Sequence, residues 1–417
     1  MFKKIKTGFF LLFVSLQSLA QHQISLDGTS VNRLQSIRLE SSSRPGSAAA
    51  VPLEQQDLVL EFDDLWETRE DYYARLVHCN ADWSVSRLRD LDFLDQYNEG
   101  NVNDYAYSSN THVPYVHYRY AVPEVRLPGN YLLEIYPDGD KSQVVLRRRF
   151  LVFRQETSIT PIRRPGANVL RKDLQEISFS AQYPTEVITD PARNIIVVVR
   201  QNHRWDNAMT LPAPSRIDQI RGILEYMYYD QRSAMAAGNE YRFVNFTSLN
   251  YPGINTGPLD RTRKPFHLYV ALDRPRSGQV YEQYRDLNGA WIPEDRDGGN
   301  VATTGQYLWV HFTLMNPPSS QREIFVAGNW SDHAAAPAYL MKPFQDGLTC
   351  SVLLKQGLYN YQYIAAPGKT LPERLNPVEG DYTETENVYE ILIYHRQFST
   401  GADQLIGYEQ LRLNPQR

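Results

Sequence analysis

Cysteine is nearly absent: the 417-residue chain holds two, Cys79 and Cys350. Two thiols without histidines at ligand spacing exclude a structural zinc site. An oxidising compartment would permit a bridge between them, but the plainer expectation is two separate buried thiols, the usual state of free cysteine. Beyond the first twenty residues no run of about eighteen apolar residues occurs, so no membrane-spanning helix is expected. Positive charge is also short. Lys and Arg number 43 against 48 Asp and Glu, a formal net charge of -5, and the balance falls three units further without Lys3, Lys4 and Lys6. A nucleic-acid binder would need a basic face, so that partner class is set aside.

The local signatures of chemistry are missing too. There is no His-Glu-x-x-His pair, no Gly-x-Ser-x-Gly elbow, no phosphate-binding glycine loop and no dinucleotide fingerprint. His78 and Cys79 are adjacent, yet neighbours on a strand point to opposite faces and cannot pair there. His112 and His117 stand five apart and lack the four-residue step of a helical metal pair. Asp295-Arg-Asp-Gly-Gly299 resembles part of a calcium loop, but Gly299 falls at position five and Asn300 at six, where the loop needs an oxygen ligand and a glycine. It reads as a turn. Asp63 and Asp64 are paired only in sequence, whereas a glycosidase needs two carboxyls set across a bound sugar. No catalytic residue, metal or cofactor is expected.

What is abundant is strand-forming residue. Tyrosine reaches 28 and aromatics 12% of the chain, with 25 Pro and 23 Gly as punctuation. Short alternating runs of this kind suit half-buried pleated surfaces and point to β-sandwiches. Ile177, Phe179, Ala181 and Tyr183 show the period of two. Tyr131 to Tyr136 and Val144 to Phe153 read as a hairpin across Pro137-Asp-Gly-Asp140, whose Asp-Gly step suits a tight turn. The fold class expected is all-β, as three tandem immunoglobulin-like or early-set-like sandwiches. The expected divisions are 1–20, an export signal with lysines before the apolar run Gly8 to Leu16 and a Ser18-Leu19-Ala20 cleavage site; 21–155; 160–293, after a Pro- and Arg-rich linker; 300–398; and a tail, 399–417.

Two dense segments carry more. One is Leu76-Val-His-Cys-Asn-Ala-Asp-Trp83, continuing to Ser109-Asn-Thr-His112. The other is Thr385-Glu-Asn-Val-Tyr-Glu-Ile-Leu-Ile-Tyr-His-Arg396, followed by Asp403-Gln-Leu-Ile-Gly-Tyr408. With Pro128-Gly-Asn-Tyr131 and Arg148-Arg-Phe-Leu-Val152, the chain resembles the plug protein of the type IX secretion system of Bacteroidota. The resemblance implies a periplasmic, non-enzymatic protein that caps the periplasmic mouth of the outer-membrane translocon barrel when cargo is absent. It implies that barrel as partner, a monomer within the complex, and no membrane insertion. Contact would rest on exposed aromatics and arginines or on a sheet edge.

The segment Ile324 to Ser331, with Gly357 to Ile364, also resembles the early-set sandwich of glycogen-binding modules, which stack sugars on two tryptophans with a lysine between. Trp330 matches the first tryptophan, so Trp330 is the candidate sugar or partner contact. Gln362 stands at the lysine position and Lys369 near the second tryptophan, so two of three contacts depart. A periplasmic carbohydrate-binding protein and a hydrolase with a dispersed site are the alternative readings.

Overall fold

The computed structural model describes residues 26–162, 171–230, 232–318, 322–366 and 375–415. The expected export signal, part of the linker and Lys369 lie outside the described residues. Strands dominate what is described, and the helices are single turns such as Asp90–Phe93. The chain is all-β, built from paired sheets enclosing apolar cores.

In the first body, Tyr72–Cys79 buries alternate side chains, as its period of two requires. It pairs with Gly129–Pro137, which pairs in turn with Leu146–Phe153. That second pairing is the expected hairpin; Asp138 (φ 52°) and Gly139 (φ 72°) take its left-handed turn positions. The facing sheet runs Leu34–Ser41, Leu58–Asp64, Val116–Ala121, Asp104–Tyr107. Leu60, Phe62, Tyr118, Leu133 and Phe150 fill the space between the two sheets.

Gly129–Pro137 is buried on both faces up to its last residue. Its second face meets the middle body. Cys79, Trp83, Leu132 and Leu151 pack there against Val198, Leu392, Tyr394 and Leu405. At roughly 1.5–3 kcal/mol for each large apolar side chain buried, this contact is a fixed joint and not a hinge. His78 and Cys79 do point to opposite faces, yet both are buried, because their strand lies between two cores. His78 packs on Tyr131 and Phe93. A Cβ at Gly129 would lie 2.4 Å from the His78 ring, so only glycine permits this close approach.

Two expected boundaries do not follow the packing. Asn387–Arg396, expected to close the third sandwich, pairs instead with Ile195–Gln201 of the middle one. Within the expected tail, Asp403–Leu413 forms an 11-residue strand beside it. Their core joins Ile177, Phe179 and Leu224 to Ile391, Ile393 and Ile406. Conversely, Arg242–Asn245 and Trp291–Pro293 pair with Gly357–Ala365, and His267–Val270 pairs with Tyr307–Met315. The stretch from about 241 to 293, expected in the middle body, therefore builds the third core. The physical reason is simple. Ile195–Gln201 and Asn387–Arg396 are mostly apolar and largely buried on both faces, and such central strands need flanking strands however far apart those lie in sequence. The third body is thus an insertion into the middle one, and the chain passes twice between them.

Candidate functional site at the junction of the three bodies

Between the first and third bodies lies a buried polar cluster centred on Asp63, at the end of Leu58–Asp64. Its carboxylate accepts from Lys355 Nζ at 2.7 Å, Tyr307 OH at 2.7 Å and His117 Nδ1 at 2.7 Å. Lys355 also lies 4.2 Å from the centre of the Tyr115 ring. Tyr307 OH meets Ser36 Oγ at 2.6 Å. Ser36 reaches it because the strand bulges between Gln35 and Arg38, with Ser36 at φ 52°. Burial alone would raise the Asp63 carboxyl; the Lys355 ammonium and His117 outweigh it and hold it below the usual carboxylate range. Burial draws Lys355 downward while Asp63 opposes. The two groups lie in salt-bridge contact, Lys355 Nζ 2.7 Å from Asp63 Oδ2.

All three bodies meet around a cleft of about 480 Å³. Its walls carry five arginines, each held by a carboxylate: Arg38 by Glu40 and Glu61, Arg148 by Asp332, Arg149 by Asp27, Arg200 by Glu390, and Arg204 by Asp206. The Arg148–Asp332 pair, at 2.8 Å, joins the first body to the third. Arg149 lies 5.3 Å from the Trp83 ring and 5.0 Å from Trp205, and Arg200 lies 4.2 Å from Trp205. The two indoles meet edge to face at 4.8 Å. These cation–π contacts tie the first body to the middle one.

Beneath the cleft, Glu390 is fully buried; its Oε1 accepts from Arg200 Nη2 at 2.8 Å, and its Oε2 lies in ion-pair contact 2.7 Å from Arg200 Nε and 2.9 Å from His203 Nδ1. Burial would raise its carboxyl; Arg200 and then His203 overcome this and hold it far below the usual range. His333 is pushed down to about 3, by burial first and by Arg204 second, and so is neutral. The five arginines of the cleft are all held in ion pairs, while Arg200 Nε, His203 Nδ1 and Glu390 Oε2 are buried without a well-aligned hydrogen bond. Among the described residues no group of three His, Cys, Asp or Glu gathers to hold a metal.

The candidate Trp330 is half-buried against the third core. Its ring lies parallel to Phe312 at 6.3 Å, and its Nε1 donates to Asn360 O at 2.9 Å. Gln362 is buried and bonds His333 at 3.5 Å. Neither residue offers the flat open face that sugar stacking requires. His117 and His112 are not brought together: the first serves Asp63, the second lies 2.7 Å from Lys264 Nζ. Asp64 parts from Asp63 and takes Arg33 at 3.0 Å and Tyr72 OH at 2.8 Å. Cys79 and Cys350 are separate buried thiols. Burial pushes them up to about 12 and about 11, leaving them inert. Asp295 accepts Thr304 Oγ1 and its own loop's Asp297 N, as a turn residue does. Sequence reasoning missed Lys355, Arg200 and Glu390. The only signal was a charged residue inside an otherwise apolar strand run.

Fold and junction together define a multi-sandwich protein whose polar clusters serve as joints. Residues 34–154 match the family model described as the type 9 secretion system plug protein 1st domain. The first body therefore carries a plug-protein domain of that secretion system, and the resemblance seen in the sequence is borne out. A solved structure of a hypothetical protein from Parabacteroides merdae ATCC 43184 superposes with a TM-score of 0.86 at 25% identity, covering 93% of this chain and 99% of that one. The arrangement of all three bodies is thus shared with it. A marsupial T cell receptor aligns over 88% of this chain and 99% of that one at 9% identity, but with a TM-score of 0.13, and carries no argument. No curated protein matches the chain.

Proposed function

We propose that this chain is a non-enzymatic periplasmic plug that caps the periplasmic mouth of the outer-membrane type IX translocon barrel when cargo is absent. The observation that carries this reading is the plug-protein domain at residues 34–154. The joints support it. A stopper for a wide pore must keep its shape under load, and here apolar packing joins the first and middle bodies while the buried Asp63–Lys355 pair joins the first and third. Such a body works by surface complementarity and needs no reaction centre. The test has two parts. Affinity purification from native membranes should recover a very large outer-membrane β-barrel. Cells lacking the protein should admit a periplasm-excluded dye when export is idle. An intact envelope in such cells, with no barrel recovered, would refute the proposal.

A further inference from the structure

The third body's larger sheet runs Thr256–Asp260, His267–Val270, Tyr307–Met315, Gly347–Lys355, Lys342–Phe344. Alternation sends Leu268, Val270, Val310, Phe312 and Leu314 into the core. The opposite face is left with His267 and Tyr269 on one strand, Trp309 and His311 on the next, and Ser351 beyond. Register sets His267 beside Trp309 and Tyr269 beside His311. Tyr269 and His311 stack at 4.6 Å, 20° apart, and His267 meets His311 at 2.8 Å through their ring nitrogens. His311 Nδ1 lies 2.7 Å from Ser351 Oγ. Tyr269 is still 38% exposed and Trp309 36%. The face is aromatic, pre-ordered by its own stacking and hydrogen bonds, and half-exposed.

Its corner is cationic. The turn after Asp260 carries Arg261, Arg263 and Lys264, all exposed, and Lys342 stands on the far edge strand. Lys264 lies 4.0 Å from the Phe266 ring. Asp260 is the carboxylate of that turn, 3.4 Å from Arg263 and already bonded to Thr262. The outward face of the first body's four-stranded sheet differs. There Arg38 and Arg119 meet Glu40, Glu61 and Asp104 in mutual salt bridges, so that face neutralises itself. A surplus of cations in a chain of net charge -5 calls for carboxylates from outside.

We propose that this outward sheet face, from the Arg261–Lys264 corner across Tyr269 and Trp309, is a docking surface for an acidic protein surface. Resting on the plug reading, the partner is a carboxylate-bearing periplasmic surface of the barrel. A glycan fits poorly, because one face of Tyr269 is already covered by His311, which leaves Trp309 as a single ring and a poor stacking platform. A membrane fits poorly, because the half-buried rings do not protrude to the depth of the headgroup boundary.

The test uses the full chain recovered with the barrel from native membranes. Zero-length carbodiimide coupling should join Lys264 and Lys342 to Asp or Glu of the barrel. Arg261→Glu with Lys264→Glu should lower barrel recovery at least about tenfold at low salt and remove its salt dependence. Trp309→Ala should lower it by a similar factor. Phe398→Ser, outside this sheet, is the control and should change nothing. Unchanged melting of each variant keeps misfolding out of the comparison. If variants recover the barrel as well as the wild type, or couplings map only to other lysines, this inference falls and the plug reading stands. If the wild type binds anionic vesicles and the variants do not, the face belongs to lipid and the inference falls. If the wild type recovers no barrel at all, the plug reading falls and takes this partner with it.

Discussion

Lys355→Met tests whether the first and third bodies are fastened by charge. The side chain keeps its length but loses the ammonium that lies 2.7 Å from Asp63. Asp63 is fully buried, so its carboxylate cannot turn to water. Breaking one partner out of a buried pair costs about 3–5 kcal/mol. Tyr307 and His117 still donate to Asp63, which places the expectation nearer about 3 kcal/mol. Asp63→Leu combined with Lys355→Met should recover most of this, because an apolar pair of similar volume is often neutral or better. Tyr307 OH would then keep Ser36 as a partner. Urea unfolding of the wild type, the single and the double variant gives the three numbers, and limited proteolysis reports whether the bodies part before they unfold. A loss below about 1 kcal/mol for Lys355→Met, or a double variant worse than the single, would refute the reasoning.

Glu390→Gln should cost about 3–5 kcal/mol, because it leaves the buried Arg200 guanidinium without its counter-charge. The wild-type contribution of Glu390 carries the sign of a depressed carboxyl: it is present above the unfolded value near 4.5 and is lost as pH falls toward the much lower folded one. Urea midpoints of wild type and variant at pH 7 and pH 4 read both the size and the sign. Asp286 carries the opposite sign. Burial raises it to about 7 from 3.8, over the opposing bonds from Asn288 and Tyr241. Its contribution is full below about 3.8 and fades as pH rises through about 7, so Asp286→Asn should flatten the decline in stability between pH 5 and pH 8.

Much of the fold was legible, and the limits fall in particular places. The period of two in Tyr72–Cys79 and the Asp138–Gly139 step fixed a strand and a turn by local sterics, and both are where the residues imply. The partner of a strand is not local. Nothing within Asn387–Arg396 says that it pairs with Ile195–Gln201 and not with Gly357–Ala365. Its unbroken burial signals only that it is central. The same limit hid the junction. Asp63 and Asp64 look alike in sequence, yet one faces Lys355 across 292 residues and the other faces Tyr72 and Arg33. Trp330 shows a further limit, since a resemblance places a tryptophan in the chain but does not say how its indole packs, here parallel to Phe312 and partly buried.

The insertion of the third body into the middle one bears on how firmly the third body is held. A terminal domain hangs on one strand of chain, whereas this one is held by two passages, near residues 236–241 and 379–387. Those passages are bonded to each other: Asn239 Nδ2 donates to Glu379 O at 2.8 Å, and Asn387 Nδ2 to Ala237 O at 2.8 Å. Glu379 is buried and receives Arg242 and Arg276, which anchor the crossing to the third core. Burial opposes that arrangement, and the two guanidinium charges reverse it and keep the carboxyl ionised below the usual range. Rotation of the third body would have to twist both passages and expose Glu379. With the Asp63–Lys355 and Arg148–Asp332 pairs to the first body, the third body is held at three separate places. An outward face on such a body keeps its orientation relative to the first body, as the proposed docking of that face requires.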